Sequence, residues 1–531
     1  MTGGTRNTHA GRVFQAPSLR TITLAVVVLA FLIRLVTFGG VGLRSVQGYD
    51  DGVYYAGAVA LLSGRLPYRD FLFLHPPGIL LVAAPFAEFG RLTSDSFGLL
   101  AIRVAFCALG ALNAGLVTRV AARNGLVPAT VAGLCYALWY PAIYAERTVL
   151  LEASGNTALL VALLLLGRTM RPVSGRAQLA AGAAMGLAAC VKIWMLAPLA
   201  VLLVWQLMSS GRRSAVRVAA GAAIAGAVVL APFLTLWDAL LRMVVLDQMG
   251  RPRDGTTVVE RLREIGGLQP LSGNLPMAAV DLALLSVCLL TVGIALLAWS
   301  RPEARVHVLL LAVSVGVLLS VPTMFDHYAA FAAVPFALVL ADATAALSQP
   351  GAFSQSAAFS QPWRESAKGR VPAPRRRRWV TRAAAPALLV LVALLAVHVR
   401  TVAAPHGVAF PATRLRPYVA ARPCLVTDVP IVPVLLDVLS RDLDRGCPLV
   451  VDVMGEEHHG DRPRGPDGVP VVRQRNALWQ GLMQRYLTAG STTVLARPET
   501  GLSATTTQRL TRLPLLVREG QFTVLGRPSA R

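Results

Sequence analysis

Two adjacent carboxylates, Asp50 and Asp51, stand in the segment Gly48-Tyr-Asp-Asp-Gly-Val-Tyr-Tyr-Ala56, shortly after a long apolar run. Neighbouring acids repel, and near hydrocarbon they are costly unless they serve a metal, a proton transfer or a cation. A carboxylate in a partly dehydrated cleft is suited to take the proton of an attacking hydroxyl. The competing reading is a solvated loop acid that caps the next helix, and residue type alone divides the two evenly. The chain continues with Leu61-Leu-Ser-Gly-Arg-Leu-Pro-Tyr-Arg-Asp70 and Leu74-His-Pro-Pro-Gly78. Within it, His75 is either a substrate-binding group or the residue that fixes the Pro76-Pro77 turn. Tyr54 is a binding candidate too, although Tyr49, Tyr54, Tyr55 and Tyr68 together also suit an aromatic belt at a membrane interface.

Further chemistry-bearing residues punctuate the apolar runs downstream. They are Glu146, Arg147 and Glu152, then Lys192, then Arg242, Asp247, Arg251 and Arg253, then Asp326-His327-Tyr328. Charges in or beside membrane spans are usually functional or paired. Acids on one side of a cleft and Lys192, Arg251, Arg253, His327 and Tyr328 on the other would suit a neutral acceptor and a phosphate-bearing donor. The cations would hold the leaving phosphate while the acid activates the nucleophile. Against this, Lys192 could snorkel to an interface, and His327 could be a packed interfacial histidine.

The elements that must position these groups follow from composition. Of 531 residues, 55% are hydrophobic and 15% charged, where a soluble chain is roughly 45–50% apolar and about 25% charged. An ordinary soluble enzyme, a disordered chain and a disulfide scaffold are thereby excluded. The apolar excess lies in long runs that read as transmembrane helices: Thr21–Phe38, Leu99–Thr118, Val127–Tyr144, Val149–Leu166, Leu179–Val191, Ile193–Met208, Val216–Leu236, Met277–Trp299, Val306–Val321, Tyr328–Leu347 and Ala384–Val399. The pair flanking Lys192 is the least secure split, each piece being short. Between the first two runs, Gly39–Ser96 reads as a long loop with helices lying at the interface. Met1–Arg20 reads as a polar tail, and the run after it as a first span rather than a cleaved signal.

The formal net charge of +23 does not indicate nucleic acid, because no basic face interleaved with aromatics appears. The arginines instead sit in the short connections. Arg119 and Arg123, Arg168, Arg171 and Arg176, Arg212, Arg213 and Arg217, and Arg301 and Arg305 all fall on one side under a single threading, as does the polar and basic stretch Ser348–Thr381. The positive-inside rule makes that side cytoplasmic. The amino terminus is then expected inside and the carboxyl terminus outside.

From Thr401 the apolar runs shorten. Cys424–Val426, Leu449–Val453, Thr492–Ala496 and Phe522–Leu525 read as strands, and Ile431–Leu439 and Asn476–Thr488 as helices, together a small α/β domain over 401–531. It shows no nucleotide or nucleophile motif. Outside the cytoplasm, Cys424 and Cys447 could be bridged or free; the other cysteines lie in apolar runs. The fold class is thus an α-helical polytopic membrane protein of about eleven spans over residues 21–400, with an extracytoplasmic α/β domain.

The ordered set over Gly48–Gly78 resembles the polyprenyl-phosphate-dependent GT-C glycosyltransferases, and is similar to bacterial members related to protein O-mannosyltransferases and lipid A aminoarabinose transferases. The helix count and large first loop extend the resemblance over about Thr21–Arg400. The resemblance implies that Asp50 is the catalytic acid position and Asp51 its acidic neighbour, which departs from the usual Glu by one methylene. Lys192 is similar to a basic residue near the donor phosphate, and Asp326-His327-Tyr328 more loosely to a late His-Tyr pair. Implied with them are a polyprenyl-phosphate sugar donor, transfer with inversion to a hydroxyl of a glycan, lipid or protein acceptor on the outer face, and contact with membrane lipid. A divalent cation is one candidate cofactor, since metal need varies in this class; the sequence carries no dedicated metal cage. The competing functions are a transporter or lipid flippase, which internal repeats and polar groups at the midplane would favour, and a non-catalytic scaffold. Neither repeats nor such midplane groups are seen.

Overall fold

The protein is described by a computed structural model over residues 18–167, 173–269, 275–348, 407–460, 463–465, 470–496 and 501–526. The span expected at Ala384–Val399, the amino-terminal tail before Ser18 and most of the stretch Ser348–Thr381, with its Arg375–Arg378 run, lie outside these residues, as do Arg168 and Arg171.

Every other apolar run is helical. The first ten helices are α1 (Leu19–Val36), α2 (Asp50–Leu62), α3 (Gly78–Leu92), α4 (Asp95–Ala121), α5 (Leu126–Leu138), α6 (Tyr140–Glu146), α7 (Leu151–Leu166), α8 (Gly175–Val191), α9 (Leu196–Ser210) and α10 (Arg212–Leu230). Helix continues past α10 to Met249, and Met277–Trp299, Arg305–Ser320 and Ala333–Ser348 follow. Among the described residues, seven helices have the length and apolarity to cross a membrane, and eight if α5 and α6, which meet at 59°, form one span. The chain is a multi-pass membrane protein, as its composition requires.

The bundle is held by two devices. Small residues let helix backbones approach closely: a β-carbon on Gly182 of α8 would meet the Val218 carbonyl, and one on Gly221 of α10 the Leu179 carbonyl. Polar side chains inside apolar runs are paired. Arg34 of α1 is fully buried and donates to Glu146 at 2.5 Å, and Glu146 also accepts from Tyr136 at 2.6 Å and Asn113 at 2.8 Å. One carboxylate therefore ties α1, α4, α5 and α6, because an unpaired charge there would cost several kcal/mol.

Helices α2 and α3 form the expected interfacial loop. Its turn is built from the motif residues: Gly64 takes a positive φ of 83° after α2, Asp70 accepts from the Leu66 backbone at 2.7 Å, and Tyr68 donates to the His75 carbonyl at 2.7 Å. Gly78 opens α3 against the end of α8, where a β-carbon would lie 2.5 Å from the Cys190 carbonyl.

The C-terminal α/β region carries a four-stranded sheet: β1 (Leu425–Thr427), β2 (Thr492–Leu495), β3 (Leu515–Glu519) and β4 (Phe522–Gly526), in the order β1-β2-β4-β3. β1 and β2 are parallel, with Leu425 opposite Thr492; the other pairs are antiparallel. Two strand assignments need correction. Leu449–Val453 is not a strand: its buried Val451 and Val453 face the core, but it crosses toward the membrane helices instead of joining the ladder. Leu515–Glu519 is an edge strand the pattern hides, since its Leu515 is exposed and no alternation appears. Cys424 and Cys447 form a disulfide. The region docks on α2 so closely that a β-carbon on Gly52 would sit 2.8 Å from that of Ile431. Asp95 accepts from Ser440, and His459 bonds Asp247 at 2.8 Å.

Candidate active site

Arg147, Lys192, Arg251 and Asp326-His327-Tyr328, marked between the apolar runs, come together beside the α/β region. There, α2, the Asp326–Ala332 turn, the segment after α6 and the loop following Val451 enclose a cavity of about 380 Å³. Asp50, the first residue of α2, opens into it with 36% of its side chain accessible, and its Oδ2 lies 3.6 Å from His327 Nε2. Enclosure by protein, then the nearby Asp452 charge, pushes the Asp50 carboxyl up to about 7, against the pull of Arg251 and Lys192. That suits a group that must be an anion to accept a proton and a modest acid afterwards.

Asp51 does not share the cleft. Successive helical residues are turned by about 100°, so the second acid points into the protein. It is fully buried and takes two hydrogen bonds from Arg103, at 3.1 and 2.5 Å. Arg103 also donates to the carbonyls of Leu43 at 2.5 Å and Ser45 at 2.9 Å. The pair anchors the start of α2 and so aims Asp50.

A second cavity, about 200 Å³, lies beside the first and shares His75, Arg251 and Tyr328 with it. Its other walls are largely apolar, including Leu74, Ile193, Trp194 and Val244. Lys192 lines it at the extended break between α8 and α9, paired with Glu152 of α7. The ammonium also sits 4.0 Å from the Trp194 ring centre and 4.1 Å from that of Tyr328. His327 stacks on Phe325 and meets Tyr328 edge-on. His75 shares a 3.2 Å hydrogen bond with Tyr54, one helical turn after Asp50. Burial first, then Lys192 and Arg251, hold the His75 imidazole well below its ordinary range, hence neutral.

Of the expected residues, Asp50, His75, Lys192, Arg251, His327 and Tyr328 line these two cavities, with Tyr54 just behind His75. Arg253 is exposed and lines neither. Sequence reasoning missed Asp452, Tyr144 and Arg473, all on the wall of the larger cavity, where Arg147, marked among the charges between the apolar runs, also lies. The available signal for Asp452 was an acid inside the apolar run Leu449-Val-Val-Asp-Val453. Among the described residues no three His, Cys, Asp or Glu side chains converge as metal ligands.

The model of Glycosyltransferase family 87 matches residues 73–325, a stretch that includes His75, Lys192 and Arg251. No curated protein matches the chain in sequence. Among solved structures it is similar to ArnT from Cupriavidus metallidurans bound to undecaprenyl phosphate, at 15% identity and a TM-score of 0.57, covering 96% of this chain and 98% of that one. It is also similar to the oligosaccharyltransferase AglB from Archaeoglobus fulgidus in complex with an inhibitory peptide and a dolichol-phosphate, at 11% identity and a TM-score of 0.50, covering 90% and 70%. The chain thus has the fold of these membrane proteins, and residues 73–325 of it match a glycosyltransferase family.

Proposed function

We propose that the protein moves a sugar from a polyprenyl-phosphate sugar to a hydroxyl of a glycan, lipid or protein acceptor at the outer face of the membrane. The observation that carries this is the junction of the two cavities: a carboxylate opens into the polar one, and Arg251 and Tyr328 lead from it into an apolar one beside Lys192. Asp50 takes the proton of the acceptor hydroxyl as its oxygen attacks the anomeric carbon. The carbon–oxygen bond to phosphate breaks on the opposite face, giving inversion, and the phosphate leaves with both electrons of that bond. Arg251 and Lys192 face the phosphate as its charge grows, while Glu152 keeps Lys192 from being an uncompensated buried charge. The apolar walls accommodate the first isoprene units. His327 orients Asp50, and Tyr54 holds neutral His75. Asp51 serves this site through Arg103 and does not touch substrate. ArnT and AglB, the similar structures, are described with undecaprenyl phosphate and dolichol-phosphate, which supports a donor of this class.

The site-bearing end faces outward on this reading, with residues 1–20 in the cytoplasm, the membrane domain over 21–400 and the α/β domain over 401–531 outside. The one-sided arginines and the Cys424–Cys447 disulfide support that orientation. The test is transfer by purified Asp50→Asn protein with a panel of polyprenyl-phosphate hexoses and pentoses and a cell-envelope acceptor extract. Activity is expected to fall about 10²–10⁴-fold; full activity would remove Asp50 from the chemistry.

A further inference from the structure

The α/β region does more than cover the cleft, because the segment after Val451 delivers a second carboxylate into the same cavity as Asp50. Asp452 is held there firmly. Its Oδ1 accepts from the Gly455 backbone at 2.7 Å and from the Tyr49 hydroxyl at 3.1 Å. That hydroxyl also accepts from the Met454 backbone at 2.9 Å. Tyr49 immediately precedes Asp50, so one tyrosine ties the segment that carries Asp452 to the start of α2.

We propose that Asp452 is a positioning residue of the transfer site: a fixed anion, supplied by the C-terminal region, that strengthens Asp50 as the base. This rests on the glycosyltransferase reading above. Two carboxylates lining one cavity cannot both ionise at low cost, so one of them holds its proton to higher pH. The donors decide which. Asp452 has a backbone N–H and a tyrosine hydroxyl, with Arg251 and Arg473 nearby, although burial and Glu456 oppose its charge. Among the described residues Asp50 has only the 3.6 Å approach of His327, with Arg251 and Lys192 favouring its anion and Glu152 opposing it. Tyr54, Tyr144 and Tyr328 also face Asp50. Asp50 is therefore the acid that takes up a proton first as pH falls, while Asp452 keeps its charge. Above its midpoint Asp50 is ionised, and when an acceptor hydroxyl enters, the Asp452 charge favours transfer of the hydroxyl proton to the Asp50 carboxylate, which ends the step protonated.

The test titrates the Asp50 carboxyl by infrared difference spectroscopy on detergent-purified full-length protein, taking wild type minus Asp50→Asn. The titration is repeated in Asp452→Asn and Asp452→Glu backgrounds. The wild-type midpoint is expected near 7. It should fall by roughly one to two pH units in Asp452→Asn, as for loss of a neighbouring like charge, and stay near wild type in Asp452→Glu. Asp452→Ser is read in the same way should the Asn variant not fold. An unmoved midpoint in a folded, charge-free variant overturns the proposal. The readout needs no turnover, so it separates from the functional reading. Asp50→Asn that still transfers sugar would overturn that reading while leaving the coupling of the two acids measurable.

Discussion

Asp50 and Asp51 are the same residue type in adjacent positions, yet they have opposite surroundings. One faces a cavity with a histidine near it; the other is sealed against Arg103. The difference sets two predictions. A base works deprotonated, and Asp50 is pushed up to about 7. Transfer rate, as kcat/KM, should therefore drop as pH falls through that value and level off above it; a profile flat between pH values of about 5 and 9 would contradict the assignment. Asp51→Ala should act on stability instead. It strands a fully buried guanidinium, at a cost of about 3–5 kcal/mol. Thermal unfolding in detergent should show a clearly lowered transition, and an unchanged one would mean the pair contributes nothing.

At the scale of elements, function sits at interruptions. The extended residue between α8 and α9 is Lys192, the bend between α5 and α6 precedes Glu146 and Arg147, and α2 begins at the catalytic candidate. Runs of apolar residues announce spans, but breaks within them read only as doubtful splits, as at Lys192. Gly78 shows why the His-Pro-Pro-Gly motif ends as it does: α3 starts in contact with the carbonyl of Cys190, two residues before Lys192. Gly78→Ala should push α3 from α8, costing about 1–3 kcal/mol from overpacking, and should displace both His75 and Lys192. Purified Gly78→Ala protein is expected to bind donor more weakly than wild type, measured as a raised donor KM. A fold intact with unchanged KM would show that the contact yields without moving the site.

At the scale of the molecule, the α/β region and the bundle share one reaction space. Asp452, Met454 and Arg473 line the same cavity as Asp50, and β1, the disulfide and the docking contacts on α2 fix the loop that brings them. If this end faces outward, a protease site placed after residue 526 should be cut in intact spheroplasts, while one placed in the 211–212 connection should be cut only after lysis. The reverse pattern would invert the orientation and remove an outer-face acceptor.

The apolar runs, the one-sided arginines and the Gly48–Gly78 motif determined the membrane bundle, the interfacial loop and the first acid of the site. They did so because span length, charge placement and helix starts are local properties of sequence. Which acid faces the cleft was decided by tertiary structure, since neighbours on a helix diverge and only the fold supplies Arg103 to one and His327 to the other. The folded chain also decided that Leu449–Val453 leaves the sheet and carries Asp452 to the membrane helices. That pairing joins residues about 400 positions apart, and no local pattern encodes a contact at that separation.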